Sequence, residues 1–141
     1  MPKLGKRSKE KLAECHPDLQ RIAEEAIKYT DFTVYEGHRT VEQQQIYFKA
    51  GKSKIDGINR KGKHNYKPSM AFDCAPWHNE GIEWNNQAEF GYLAGVMFVV
   101  ANQLLAAGEI THRLRWGGNW DGDAELLSDQ RFDDLPHFEL V

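Results

Sequence analysis

Apolar and polar positions change period several times along the chain. Leu19, Ile22, Ala23, Ala26 and Ile27 recur at helical spacing behind Pro17, a favourable first residue for a helix. Phe32 and Val34 alternate with Thr33 and Tyr35, which predicts a short strand. Thr40 with Gln43 has the form of a capping box, so a helix opens there and stops at Gly51. Residues 51–69 are rich in Gly, Lys, Asn and Pro and read as a long loop, a kind of segment that tends to be functional or mobile. Met70, Phe72 and Cys74 then alternate with Ala71 and Asp73, which predicts a second strand. Asn86 with Glu89 suits a helix start, and Phe90, Leu93, Met97, Val100 and Leu104 form one stripe ending near Gly108. Ile110, His112, Leu114 and Trp116 share one face of a further strand. Residues 117–135 read as a loop, and a last strand holds His137 to Val141. This mixture predicts an α+β domain, with helices packed on a small, mostly antiparallel sheet.

At 141 residues the chain suits one domain spanning residues 1–141. A domain of this size buries about two-thirds of its unfolded surface, so it can build a core. Apolar content of 40% and charged content of 28% are ordinary for a globular protein. A net charge of −3 gives no general reason to expect nucleic-acid binding.

The charge is unevenly spread. Lys3, Lys6, Arg7, Lys9 and Lys11 make the start basic. Lys52, Lys54, Arg60, Lys61, Lys63 and Lys67 make a second basic stretch, and Asp121 to Asp134 are acid-rich. Such a stretch is either solvated surface or a face that meets an anionic polymer. Cys15 and Cys74 allow one disulfide at most, and Cys74 sits in an apolar run as a small core residue. The basic start leads into a charged helix and not an apolar leader. No stretch approaches the ~20 apolar residues of a membrane span. The expectation is a soluble product that begins in the cytoplasm, without stable membrane insertion.

A catalytic zinc wants three protein ligands and one open position. His64 closes the basic loop. Asp73 shares a strand face with the small Ala71, opposite Phe72 and Cys74. In the last strand His137 and Glu139 share one face, and Phe138 and Leu140 the other. Asp134 precedes His137 by three residues, with Pro136 disfavouring a helix between them. An Asp held on such a turn suits a general base beside the metal, and the planar fork of Arg39 suits a carboxylate or a developing oxyanion. On spacing alone, ordinary readings stay open. His64 and His137 also suit hydrogen-bonded structural positions, and Asp73 suits a turn or cap.

His64 to Asp73, followed by Ala75-Pro76, resembles the first metal motif of the LAS-type metallopeptidases. That group includes D-alanyl-D-alanine carboxypeptidases and phage L-alanyl-D-glutamate endopeptidases. Asp134-Leu135-Pro136-His137 is similar to its second motif, Asp-x-x-His. Gly37-His38-Arg39-Thr40 with Gln44 resembles its Arg-Ser/Thr-x-x-x-Gln segment, and Arg115 to Gly118 with Trp120 resembles the stretch before the second motif. The match runs in family order from about Tyr35 onwards. Gly62 replaces the motif's Ser and Ser69 its Gly. The path from His64 to Asp73 is two residues longer than usual.

The resemblance implies a Hedgehog/DD-peptidase-like fold. It implies one Zn²⁺ on His64, Asp73 and His137, Asp134 as general base, and Arg39 binding substrate. Gln44 would support Arg39, and Glu139 would orient a ligand by hydrogen bonding. His16, His38 and His78 match no ligand position and read as surface or loop residues. His112 reads as a satisfied core histidine or a wall of the site. Trp116 and Trp120 read as packing or as an aromatic wall.

The function implied is a phage endolysin that cuts a peptidoglycan stem peptide, at L-Ala–D-Glu in preference to D-Ala–D-Ala. It would be monomeric, would accumulate in the host cytoplasm, and would reach the periplasm and wall once the membrane is opened. The alternatives are a D,D-carboxypeptidase of wall maturation and a zinc-containing binding module without turnover. A binding module has no need of Asp134.

Overall fold

The computed structural model describes residues 1–123 and 134–141. In chain order the elements are α1 (Lys6–Leu12), α2 (Pro17–Ala26), β1 (Phe32–Glu36), α3 (Val41–Lys49), a 3₁₀ turn (Lys63–Asn65), β2 (Ala71–Pro76), α4 (Gln87–Ala106), β3 (Leu114–Gly117) and β4 (Asp134–Leu140). The strands form one sheet in the order β1-β2-β4-β3, and every neighbouring pair is antiparallel. The α+β expectation holds.

Local chemistry sets the helix ends. His16 Nδ1 accepts from the Asp18 N–H ahead of α2, Thr40 Oγ1 from the Gln43 N–H, and the Asn86 side chain from the Glu89 N–H. Each satisfies an N–H that has no partner inside its helix. Helix α4 ends with Gly108 at φ 75°, where a side chain would be strained.

The sheet has two unlike faces. Val34, Phe72, Cys74, Phe138 and Leu140 point to one side and are wholly buried. They meet Leu93, Met97 and Val100 of α4 and, behind it, Leu19 and Ile22 of α2. By length and composition alone α4 could cross a membrane, contrary to the expectation that no segment is apolar enough. In this fold its apolar stripe is the lid of the core. Phe72 and Phe138 meet edge to face, 6.0 Å between ring centroids. Phe138→Ala should cost about 3–5 kcal/mol, because a packed aromatic is replaced by a cavity. Urea unfolding measures this, and a loss below 1 kcal/mol would contradict the packing described.

Two strand boundaries differ from the sequence reading. Strand β3 begins at Leu114, without Ile110 and His112. Asp18 Oδ2 accepts the backbone N–H groups of Thr111 and His112 at 3.0 and 3.2 Å and meets His112 Nδ1 at 2.8 Å. Those bonds hold the segment against the start of α2 and off the sheet. His112 is thus satisfied, but it is half-buried and not in the core. Strand β4 begins at Asp134 and not at His137, so Asp134 and Leu135 leave the expected loop; residues 124–133 of that loop lie outside the described residues. Gly117 pairs with Asp134, and a side chain at 117 would run into the Asp134 backbone carbonyl. Both cysteines are free and buried.

Candidate metal centre

The face of the sheet turned away from the core carries Asp73 on β2 and His137 on β4, which are direct partners across the two strands. His64 arrives from the 3₁₀ turn. Its backbone carbonyl accepts from Arg39 N–H at 2.8 Å, and Asn65 Nδ2 donates back to the Arg39 carbonyl at 3.0 Å. Ser69 Oγ donates to the carbonyls of Gly37 and Ala71. The long loop is thereby tied at both ends to residues 37–39.

The inward atoms of the three residues form a triangle. His64 Nε2 lies 3.1 Å from Asp73 Oδ1 and 3.2 Å from His137 Nδ1. His137 Nδ1 lies 3.3 Å from Asp73 Oδ1. A tetrahedral zinc with bonds of about 2.0–2.1 Å has ligand atoms about 3.4 Å apart, close to these edges. All three side chains are buried.

The outer nitrogens decide what the inner ones offer. His64 Nδ1 lies 2.7 Å from the Gly37 carbonyl, which can only accept, so Nδ1 carries the hydrogen. His137 Nε2 lies 2.8 Å from Glu139 Oε1 and donates to that carboxylate. In neutral imidazoles both inward nitrogens are then lone pairs, facing a carboxylate oxygen. Three acceptors in one buried triangle repel unless a cation lies among them. The donor set therefore fits a divalent metal, with hydrogen bonds behind each imidazole that fix its ring.

A proton on an inward nitrogen can take the cation's place among these acceptors. Burial opposes ionisation of Asp73, yet the charge on His64 and hydrogen bonds from both imidazoles hold its carboxyl far below the usual range. Burial alone would depress His137, but hydrogen bonds to Asp73 and Glu139 raise it to about 9. A proton and a metal compete for the same Nδ1.

Two bulges complete the site. Strict alternation would put Asp134 on the face opposite His137. The pairing instead shifts between Trp116 opposite Phe138 and Gly117 opposite Asp134, and Asp134 lines the same cavity as the triad. Asp134 therefore sits at a strand irregularity and not on the turn the sequence suggested. Burial and then the nearby charge of Asp73 raise its carboxyl above the ordinary value. On the other edge the register slips between Val34 and Glu36, and both Tyr35 and Glu36 line the cavity.

Arg39 is firmly held. Its Nε donates to Glu36 Oε1 at 2.7 Å and its Nη1 to Gln44 Oε1 at 2.9 Å, while Nη2 stands 3.7 Å from Asp73 Oδ2. Its guanidinium lies 4.6 Å from the Tyr47 ring centroid. Arg115 Nη2 donates to Glu139 Oε2 at 2.7 Å. Trp116 is in the core, whereas the Trp120 ring stands 5.4 Å from that of His137. These groups surround a cavity of about 860 Å³.

Glu36 was not singled out in the sequence reading, Tyr35 was read only as a strand position at the start of the family match, and Arg115 only as part of the stretch before the second motif. Glu36 and Tyr35 reach the site through a bulge that alternation does not signal. Away from the site, His16 caps α2 and His78 Nε2 meets Glu89 Oε2 at 2.7 Å.

A buried His-Asp-His triangle on a sheet face, with the Asp134 carboxylate in the same cleft, is the arrangement of a metallopeptidase centre. The family model of phage L-alanyl-D-glutamate peptidases matches residues 1–141. The chain belongs to that family. It is 32% identical over 144 residues to the L-alanyl-D-glutamate peptidase of Escherichia phage T5, covering 99% of this chain and 98% of that one. Its fold is similar to the crystal structure of the Serratia marcescens L-Ala D-Glu endopeptidase ChiX, with a TM-score of 0.70 and 28% identity, covering 96% of this chain and 87% of that one.

Proposed function

We propose that the chain is a single-domain zinc peptidase that hydrolyses the L-Ala–D-Glu bond of peptidoglycan stem peptides. The observation that carries this reading is the triangle of inward acceptors at 3.1, 3.2 and 3.3 Å, each imidazole anchored from behind. A single core running from α1 to β4 supports one catalytic unit. The family and both relatives support the choice of bond.

His64, Asp73 and His137 would hold the ion, which supplies Lewis acidity and lowers the pKa of a water from 15.7 towards about 7. Asp134, raised by burial and by Asp73, takes the proton from the attacking water at its carboxylate. It then delivers that proton to the leaving amine nitrogen. Arg39, held by Glu36 and Gln44, keeps positive charge at the edge of the centre, where the scissile carbonyl develops negative charge. Glu139 keeps the His137 Nε2 hydrogen engaged, so that Nδ1 stays a ligand. Asp134 in this cleft favours turnover over a metal-bearing binding module.

The protein acts as a monomeric endolysin, made in the host cytoplasm and reaching the wall after the membrane opens. Mass spectrometry of purified muropeptides after digestion tests the bond. New L-Ala carboxyl and D-Glu amino termini are expected, and release of terminal D-Ala instead would overturn the assignment. Chelation should abolish lysis of cells stripped of their outer membrane, and added zinc should restore it. Lysis at full rate in chelator would remove the metal from the reaction.

A further inference from the structure

The cavity has two unlike walls. One is the sheet face with its imidazoles and carboxylates. The other is the loop between α3 and β2, where Lys52, Arg60, Lys61 and Lys63 line the opening.

That loop is tied to the site. Gln44 is only 2% exposed. It accepts from Arg39, and its amide donates to Ser53 Oγ at 2.9 Å and to the Ile55 carbonyl at 2.7 Å. Asp56 Oδ1 accepts the backbone N–H groups of Ile58, Asn59 and Arg60, which makes a compact turn and fixes where Arg60 leaves it. Lys61 Nζ lies 4.2 Å over the Tyr66 ring centroid. Asn65 Oδ1 accepts from Gly62 N–H at 2.9 Å and sets Lys63 beside His64. On the sheet side, Glu36 and Glu139 are matched by Arg39 and Arg115. Asp73 and Asp134, the other carboxylates of the cavity, lie with the imidazoles at the metal centre proposed above, so the excess positive charge of the cavity lies on the loop wall.

The substrate supplies the complement. A glutamate acylated at its nitrogen has two carboxyl groups. Continuation of the chain uses one and leaves the other as an anion within one residue of the scissile nitrogen. Resting on the function proposed above, the geometry points to Lys52, Arg60, Lys61 and Lys63 as the wall that reads this free carboxylate. The wall selects stems whose glutamate carboxylate is free over stems in which it is amidated.

The test compares one defined stem peptide in both forms, with wild-type zinc enzyme and with the Arg60→Gln, Lys61→Gln, Lys63→Gln variant. Wild type should show a KM about tenfold lower for the free acid, the scale of one charge-assisted hydrogen bond at a partly solvated site. Rising salt should erode that preference, because exposed charges are screened. The variant should lose the preference at unchanged zinc content, and the charge-retaining Arg60→Lys, Lys61→Arg variant should keep it. Equal KM values for the two stems in wild type overturn the proposal, as does a preference indifferent to both salt and the glutamine substitutions. The wild-type salt series decides the matter even if the triple variant misfolds. Cleavage of neither stem by wild type would sink the proposed function itself, an outcome distinct from cleavage of both without preference.

Discussion

Asp134→Asn should retain zinc and fold while kcat falls by about 10²–10⁴-fold, the usual worth of a positioned general base. Asparagine has nearly the same shape and keeps the backbone pairing of residue 134 with Gly117. It also removes a buried negative charge close to Asp73, so the substitution is not expected to destabilise the chain. What it loses is the carboxylate oxygen that accepts a proton. Steady-state kinetics on a purified muropeptide, paired with metal analysis of the same sample, separates the two effects. Wild-type turnover in the variant would remove Asp134 from the proton path. Loss of zinc alongside turnover would reassign it as a ligand.

His137→Ala should act differently, taking the metal as well as the activity. One corner of the triangle disappears, and a two-ligand site holds the ion weakly. Zinc stoichiometry should drop from one per chain towards zero, and hydrolysis should fall to background. A second readout follows from linkage. A metal bound only by the folded state stabilises it, so chelator should lower the Tm of the wild type and leave that of the variant unchanged. Unaltered stoichiometry in the variant would mean that the ion is held elsewhere. The circular dichroism of the variant should match that of the metal-free wild type, because Phe138 and Leu140 on the other face of β4 are untouched.

These variants contrast because residues 134 and 137 leave β4 at different points of its bulge. Alternation made the core face of β4 readable from Phe138 and Leu140, and the polar face from His137 and Glu139. It did not make Asp134 readable as a member of that polar face. The family motif singled out the residue, while its route into the cavity depends on the Gly117 contact. Glu36 had neither kind of signal. Its place beside Arg39 comes from a register slip against Asp73.

Helix starts were legible at Thr40 and Asn86 because a cap is a contact between residues three apart. His112 was placed on a strand because its neighbours alternate, and its contact with Asp18 spans 94 positions. No local pattern signals such a pairing. The basic character of residues 52–63 was plain from composition. That these cations line the same cavity as the His-Asp-His triangle follows from the Gln44 amide, whose partners depend on how α3 meets the loop.

The sequence by itself determined which strand faces carry Asp73, His137 and Glu139 and where the helix caps fall, because each is written in spacings of two to four residues. The tertiary structure alone decided the register of Asp73 on His137, the two bulges, and the hydrogen bonds that turn lone pairs of both imidazoles inward. His64 and His137 stand 73 positions apart, and only the packed sheet and the tied loop bring their nitrogens to 3.2 Å. Short-range periodicity fixes which way a side chain points. Where it points to is settled by backbone pairing and core packing between distant segments, which no local period encodes.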